Sequence, residues 1–229
     1  MTVNGHELGI VLLSLKVALT SAAFSLPVAV FFAYVLARAD FPGKTLLDAL
    51  VHLPLVLPPV VVGFALLLLF GRQGVLGRWL DQWFGIVFAF RWTGAALAAA
   101  IMGFPLMVRA IRLSISAIDQ RLETVARTLG GSPLWVFVSV TLPLALPGVV
   151  TGVLLSFARS LGEFGATITF VSNIPGETET LPLAIYSLVQ SPGGDAQALR
   201  LSLIAVILSI AALVASEWLT RRAQPSQRA

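Results

Sequence analysis

Cysteine is absent from this 229-residue chain, histidine occurs twice, and charged residues make up only 11% of it. Each scarcity closes a class of chemistry. Without cysteine there is no disulfide framework, no thiolate metal ligand and no thiol nucleophile. His6 and His52 lie too far apart in sequence and context to suggest a metal site. No P-loop or other glycine-rich phosphate cradle occurs, so the chain itself is expected to bind no nucleotide and no other cofactor. No catalytic residue stands out. A soluble domain carries about 25% charged residues, so the low charge also argues against a water-soluble fold.

Apolar residues fill the gap. They account for 57% of the sequence, and the mean hydropathy is +0.92. A bilayer is crossed by about 20 consecutive apolar residues in a helix. Five runs reach that length, at about 10–37, 46–70, 93–113, 144–170 and 199–219. The expectation is an all-α integral membrane protein with a single transmembrane domain over 1–229. No repeat or low-complexity tract interrupts it, and Gln224–Ala229 reads as a disordered tail. The first run could be mistaken for a signal peptide, with small residues over Thr20–Ala23. No Lys or Arg precedes it in the first nine residues, however, and it continues to Ala37, which argues against cleavage.

The basic residues suggest an orientation. With the N-terminus outside, Arg38, Lys44, Arg109, Arg112, Arg121, Arg127, Arg221, Arg222 and Arg228 all fall on the inner side, nine of the fifteen Lys and Arg. Arg72, Arg78, Arg91 and Arg200 fall outside, and Lys16 and Arg159 sit within spans. The positive-inside rule therefore favours N-out, C-in. Trp79, Trp83 and Trp92 would mark the outer interface, Trp135 and Trp218 the inner one. The net charge of +4 and the isoelectric point near 10.3 then reflect basic inner loops rather than nucleic-acid binding. Lys16 is expected to snorkel, and His52 to be structural.

The longest inner loop, about 114–143, is charged and broken by glycine. From Ile115 the apolar residues recur at Ile118, Leu122, Val125, Ala126 and Leu129, the spacing of an amphipathic helix, with Arg112, Ser116, Asp119, Glu123 and Arg127 opposite. Gly130 and Gly131 would end that helix, since glycine takes the left-handed cap conformation cheaply. Ser132 suits the next N-cap and Pro133 the first helical position. A second short helix with Trp135 and Phe137 is expected to stop near Pro143. The pair either packs on its own protein or docks on a partner in water.

Gly130, followed after nine residues by Val140-Thr141-Leu142-Pro143, resembles the EAA loop of ABC importer permeases. In that family the loop is a coupling helix seated in a groove of the ATPase subunit. The resemblance assigns coupling to Glu123, Thr124, Val125, Ala126, Gly130, Trp135, Leu142 and Pro143. The sequence departs from the pattern in two places: Thr124 occupies the position of the acid, which stands one place earlier at Glu123, and Val125 replaces an Ala. The stretches His52–Gly63, Phe157–Thr167 and Phe170–Thr178 are similar to molybdate importer permeases, and the match runs from about Val11 to Trp218. Leu53–Gly63 and Phe157–Thr167 point to oxyanion importers, for molybdate or sulfate. Phe170–Thr178, followed by Leu181-Pro-Leu-Ala-Ile-Tyr186, points to molybdate. Sulfate or tungstate permeases are the alternative, and an ion-coupled secondary carrier a more distant one.

The residues themselves add path or interface candidates. Pro54, Pro58 and Pro59 remove backbone donors from the second span, and carbonyls freed in a bilayer must be buried in protein or face a watery cavity. That span, with Gly63, either lines a path or is a kinked packing helix. Arg159 and Glu163 are spaced to pair on one helix face, and an arginine at a helix centre costs about 2.5–3.5 kcal/mol on insertion scales. Arg159 either offers positive potential to a passing dianion or is half of a structural ion pair.

Partners follow from what is missing. Five helices are few to enclose a gated path, so a twofold homodimer with the path between copies is the simplest closed solution. Energy would come from a separate ABC ATPase that carries the ATP. Capture would fall to a periplasmic or tethered molybdate-binding protein, docking near Asn173, Pro175, Gly176 and Glu177 and on the short helix after Thr180. The expected location is the bacterial inner membrane, multi-pass.

Overall fold

The computed structural model describes residues 4–223, so Gln224–Ala229 with Arg228 lie outside the described residues. Helix follows helix along all of that stretch: α1 (Gly5–Arg38), α2 (Lys44–Val56), α3 (Pro59–Phe70), α4 (Val75–Phe84), α5 (Trp92–Ser116), α6 (Gln120–Thr128), α7 (Pro133–Val136), α8 (Leu142–Leu161), α9 (Gly165–Val171), α10 (Leu181–Val189) and α11 (Asp195–Ala223). A π-helical segment, Phe137–Thr141, joins α7 to α8. Among the described residues, four helical stretches are long and apolar enough to cross a membrane, and α2 with α3 forms a fifth that is bent by 111°. The protein is an all-α, multi-pass membrane protein.

α5 is the hub. Of its most apolar stretch 61% is buried, against 11% for α11, and α1 and α8 pack on it more extensively than any other pair of elements. Small residues make this approach close. Gly148 and Gly152 of α8 form a G-x-x-x-G pair facing α5, where a Cβ at Gly152 would lie 3.0 Å from the Met107 carbonyl. Membrane helices lack a hydrophobic drive toward each other, so such seams and polar bonds hold them. Ser21 Oγ of α1 and Ser160 Oγ of α8 lie 2.9 Å apart, and Ser160 also donates to the Ala99 carbonyl of α5 at 3.4 Å. The outward faces remain apolar: Phe24 is 79% exposed and Val56 82%. In water such a belt would drive aggregation; in a bilayer it meets lipid.

Two expected boundaries differ from the structure. The second short helix does not stop near Pro143. α7 runs through the π segment into α8, making one 29-residue stretch, Pro133–Leu161. Pro143 is tolerated because the helix is locally wider there, with the Leu142 N–H reaching the Phe137 carbonyl, five residues back. The widened turn relieves the clash a proline ring makes with the carbonyl four residues earlier. Nor does a span run over 144–170. It ends at Leu161, and α9 restarts after a break at Gly162–Phe164, where the Glu163 carboxylate takes the Ala166 N–H at 2.8 Å.

α4 carries the tryptophans Trp79 (52% exposed) and Trp83 (73%) on a short amphipathic helix, suited to lying in an interface. Lys16 does not extend freely: its Nζ sits 3.6 Å from the centre of the Trp92 ring, a cation–π contact.

Candidate functional site

The expected coupling residues gather at the end of the bundle where α1 finishes. α5 ends at Ser116, the chain turns through Ala117–Asp119, and α6 starts afresh with Asp119 as N-cap, its carboxylate accepting the Arg121 N–H at 2.9 Å. That break shifts the helical phase, and the amphipathic reading carried through from Ile115 is inverted on α6. Glu123 is buried, whereas Leu122, Val125 and Leu129 are exposed. The physical cause is Arg38, in the last turn of α1. Its Nε and Nη2 reach Glu123 Oε1 at 3.2 and 3.1 Å, and Nη2 also donates to the Ile118 carbonyl at 3.1 Å. Thr141 Oγ1, in the π segment, donates to the same carboxylate oxygen at 2.9 Å. One carboxylate thus ties α6 to α1 and to the start of α8. The periodicity puts Glu123 on the solvent-facing side, and nothing in the sequence names Arg38 as its partner.

The turn after α6 is built as the glycines suggest. Gly130 has φ of +92°, and the Gly131 N–H returns to the Ala126 carbonyl at 3.1 Å. Ser132 Oγ accepts the Trp135 N–H at 3.3 Å and Pro133 opens α7. Thr124 is exposed, with its hydroxyl turned back to the Gln120 carbonyl, and Ala126 is half-buried. Leu142 packs against the core near α1 and α5, while Pro143 is exposed. The surface left in view is apolar: Leu129 is 83% exposed and Leu134 73%, beside Leu122, Val125 and Trp135. Arg121 and Arg127 are exposed on the same short helix.

The path candidates divide. Pro54 lies inside α2 without breaking it. Pro58 caps α3 and Pro59 begins it, so these two sit at the sharp bend. That bend faces the other helix break. A Cβ at Gly165 would lie 2.7 Å from Pro59 Cβ, and one at Gly63 would lie 2.5 Å from the Ala166 carbonyl. Two discontinuities, Leu57–Pro58 and Gly162–Phe164, therefore meet. Backbone of this kind survives in a membrane only inside protein or beside water. Arg159 Nη1 and Glu163 Oε2 pair at 2.7 Å, with the Glu163 side chain buried and Arg159 partly exposed. The pair sits on the rim of this junction, and its carboxylate also caps α9.

The docking candidates lie at the opposite end of the bundle. Pro175 and Gly176 are exposed at the tip of a turn, and Asn173 is half-buried. The turn is held from within: Thr178 Oγ1 donates to the Ser172 carbonyl and accepts the Ile174 N–H, both at 2.9 Å. Glu177 Oε1 accepts the Trp92 N–H at the start of α5, at 3.4 Å. Nearby, Arg200 Nη2 pairs with Glu7 Oε1 at 2.9 Å, joining the starts of α11 and α1.

The model of a family described as binding-protein-dependent transport system inner membrane component matches residues 25–228. The chain belongs to that family. It is 59% identical over 221 residues to the molybdenum transport system permease protein ModB of Escherichia coli, covering 96% of each chain. It is 40% identical over 177 residues to the sulfate transport system permease protein CysT of Salmonella typhimurium, covering 77% of this chain and 64% of that one. Among solved structures, a bacterial ABC transporter involved in the import of the acidic polysaccharide alginate superposes with a TM-score of 0.75 at 15% identity, over 96% of this chain and 80% of that one. At that identity the likeness speaks for the fold. Membership makes the chain a transport subunit rather than an enzyme.

Proposed function

We propose that the chain is the membrane-spanning permease of an ATP-driven molybdate importer in a bacterial inner membrane. The observation that carries the substrate is the 59% identity to a molybdenum permease across almost the whole chain. Two copies enclose the oxyanion path, and the junction of the α2–α3 bend with the α8–α9 break is the part of each copy that lines it. The apolar face of α6 and α7, with Leu122, Val125, Leu129, Leu134 and Trp135, faces the cytoplasm and seats in a separate ABC ATPase, which binds and hydrolyses the ATP. Movement of α6 reaches the bundle through Glu123, because that carboxylate is bonded to Arg38 on α1 and to Thr141 below α8. A periplasmic or tethered molybdate-binding protein docks at the other end, on the turn that presents Pro175 and Gly176.

Sulfate is the second reading, favoured by the sulfate permease at 40% identity. Molybdate and sulfate are both tetrahedral dianions, and a watered path between copies separates them weakly. Selection therefore falls to the binding protein. Growth on nitrate, which needs a molybdenum enzyme, tests the choice. A strain lacking this protein is expected to lose molybdenum-enzyme activity at trace molybdate and to recover it at high molybdate. A requirement for reduced sulfur with molybdenum enzymes intact would replace molybdate by sulfate.

A further inference from the structure

Between α2 and α5, at the end of the bundle that holds Arg38, lies a cavity of about 420 Å³ lined by Asp48, His52, Arg109, Arg112, Leu113 and Ser116. On α5 the polar members Arg109, Arg112 and Ser116 fall at i, i+3 and i+7, so one helical face presents all three. The charges opposite are already committed. Asp48 Oδ1 receives Arg112 Nη1 at 2.8 Å and lies 3.2 Å from His52 Nδ1. Arg109, on the same wall, is exposed and has no ion-pair or hydrogen-bond partner among the described residues. Two guanidinium groups thus face one carboxylate, and the unmatched one is Arg109.

A planar guanidinium with vacant donors in a concave, partly apolar site is suited to a tetrahedral oxyanion, which it can bind through two parallel N–H bonds. We propose that this cavity is an oxyanion-binding site in which Arg109 is the principal donor and supplies the unmatched positive charge, Ser116 Oγ is a second donor, and Arg112, held by Asp48, forms part of the wall. The space exceeds what a bare oxyanion fills, so the ion enters with water, or as the phosphodiester of an anionic lipid whose chains lie along exposed Leu113. Basic pockets between membrane helices bind lipid phosphates in this way. Molybdate as the other source rests on the proposed function.

The test uses the full-length protein in phosphatidylcholine nanodiscs. One arm measures binding of labelled molybdate. The other measures retention of phosphatidylglycerol over phosphatidylcholine by native mass spectrometry. Arg109→Gln is compared with Arg109→Lys and with Arg72→Gln, an exposed arginine outside the cavity. Arg109→Gln should weaken binding of at least one probe roughly tenfold or more, Arg109→Lys less, and Arg72→Gln not at all. Loss of molybdate binding identifies the transported ion as occupant, and loss confined to phosphatidylglycerol identifies the lipid. Wild-type binding of both probes by a monodisperse Arg109→Gln variant, or binding of neither probe by the wild type, overturns the site. Cellular molybdate uptake separates this from the transport reading. Arg109-dependent lipid retention in a protein that imports no molybdate would leave the site and remove the substrate. Normal uptake with Arg109-independent binding would do the reverse.

Discussion

Arg38 and Glu123, 85 residues apart in the chain, share a two-pronged contact in which Nε and Nη2 of the guanidinium both reach Oε1, at 3.2 and 3.1 Å. Their side chains are only 10% and 8% exposed. Removing one partner of such a buried pair leaves an uncompensated charge, at a cost of about 3–5 kcal/mol. Arg38→Met and Glu123→Gln should each lower the thermal stability of the detergent-solubilised protein, and the double variant should regain much of the loss. If the contact also carries movement from α6 to α1, the double variant should assemble with the ATPase yet import poorly. Unchanged stability in both single variants would remove the pair from any coupling scheme.

Leu129 and Gly130 separate surface from backbone. Leu129 is 83% exposed, so Leu129→Asp should insert and fold normally but fail to co-purify with the ATPase. At Gly130, no atom lies within 4 Å of where a Cβ would be, but φ is +92°. Gly130→Ala therefore meets no clash and bears only the left-handed strain, roughly 1–2 kcal/mol. A partial loss of ATPase binding is expected there, measured by pull-down against a membrane-expression control. Full binding by Leu129→Asp would place the docking surface elsewhere.

Glu163 holds both Arg159 and the N-terminal turn of α9. Arg159→Met alone should strand the buried carboxylate and reduce the yield of folded protein. Combining it with Glu163→Gln should restore folding, because the amide oxygen still accepts the Ala166 N–H. A folded double variant that transports normally makes the pair structural. A folded but inactive one would assign Arg159 to the passing anion.

Gly63 approaches α9 so closely that a methyl group would fall 2.5 Å from the Ala166 carbonyl and 2.9 Å from its Cα. Both are backbone atoms and cannot swing aside. Gly63→Ala should destabilise by about 1–3 kcal/mol, the usual cost of overpacking, and Gly63→Val by more. The readout is the melting temperature of the purified protein, and no change in either variant would mean that α3 and α9 part freely.

The positive-inside assignment places Asn4 outside. Because the chain has no cysteine of its own, Asn4→Cys is a unique label. An impermeant maleimide should react with it in intact spheroplasts. Reaction only after the membrane is opened would reverse the orientation and, with it, the side on which the ATPase docks.

Composition and periodicity alone made this an all-helical membrane protein, because apolar length and scarce charge leave a bilayer as the only solvent in which such a chain can bury its surface. Local rules also fixed the turn at Gly130–Pro133, since a left-handed cap, a serine N-cap and a proline at the first helical position act within a few residues. The Arg159–Glu163 pairing was legible for the same reason: four residues on a helix place two side chains together. The burial of Glu123 was not legible. Helical phase reads onward only while the helix continues, and α5 stops at Ser116. Which face of α6 turns inward was decided by Arg38, brought from another helix. The passage of the chain through Pro143 was likewise decided by tertiary structure, where the π turn makes room for the ring. The meeting of the two helix breaks, and the Arg109 cavity between α2 and α5, depend on how separate helices pack. No spacing along the sequence encodes either juxtaposition: the two breaks meet through the close approach of Gly63 to α9, and the cavity is lined by residues of two separate helices.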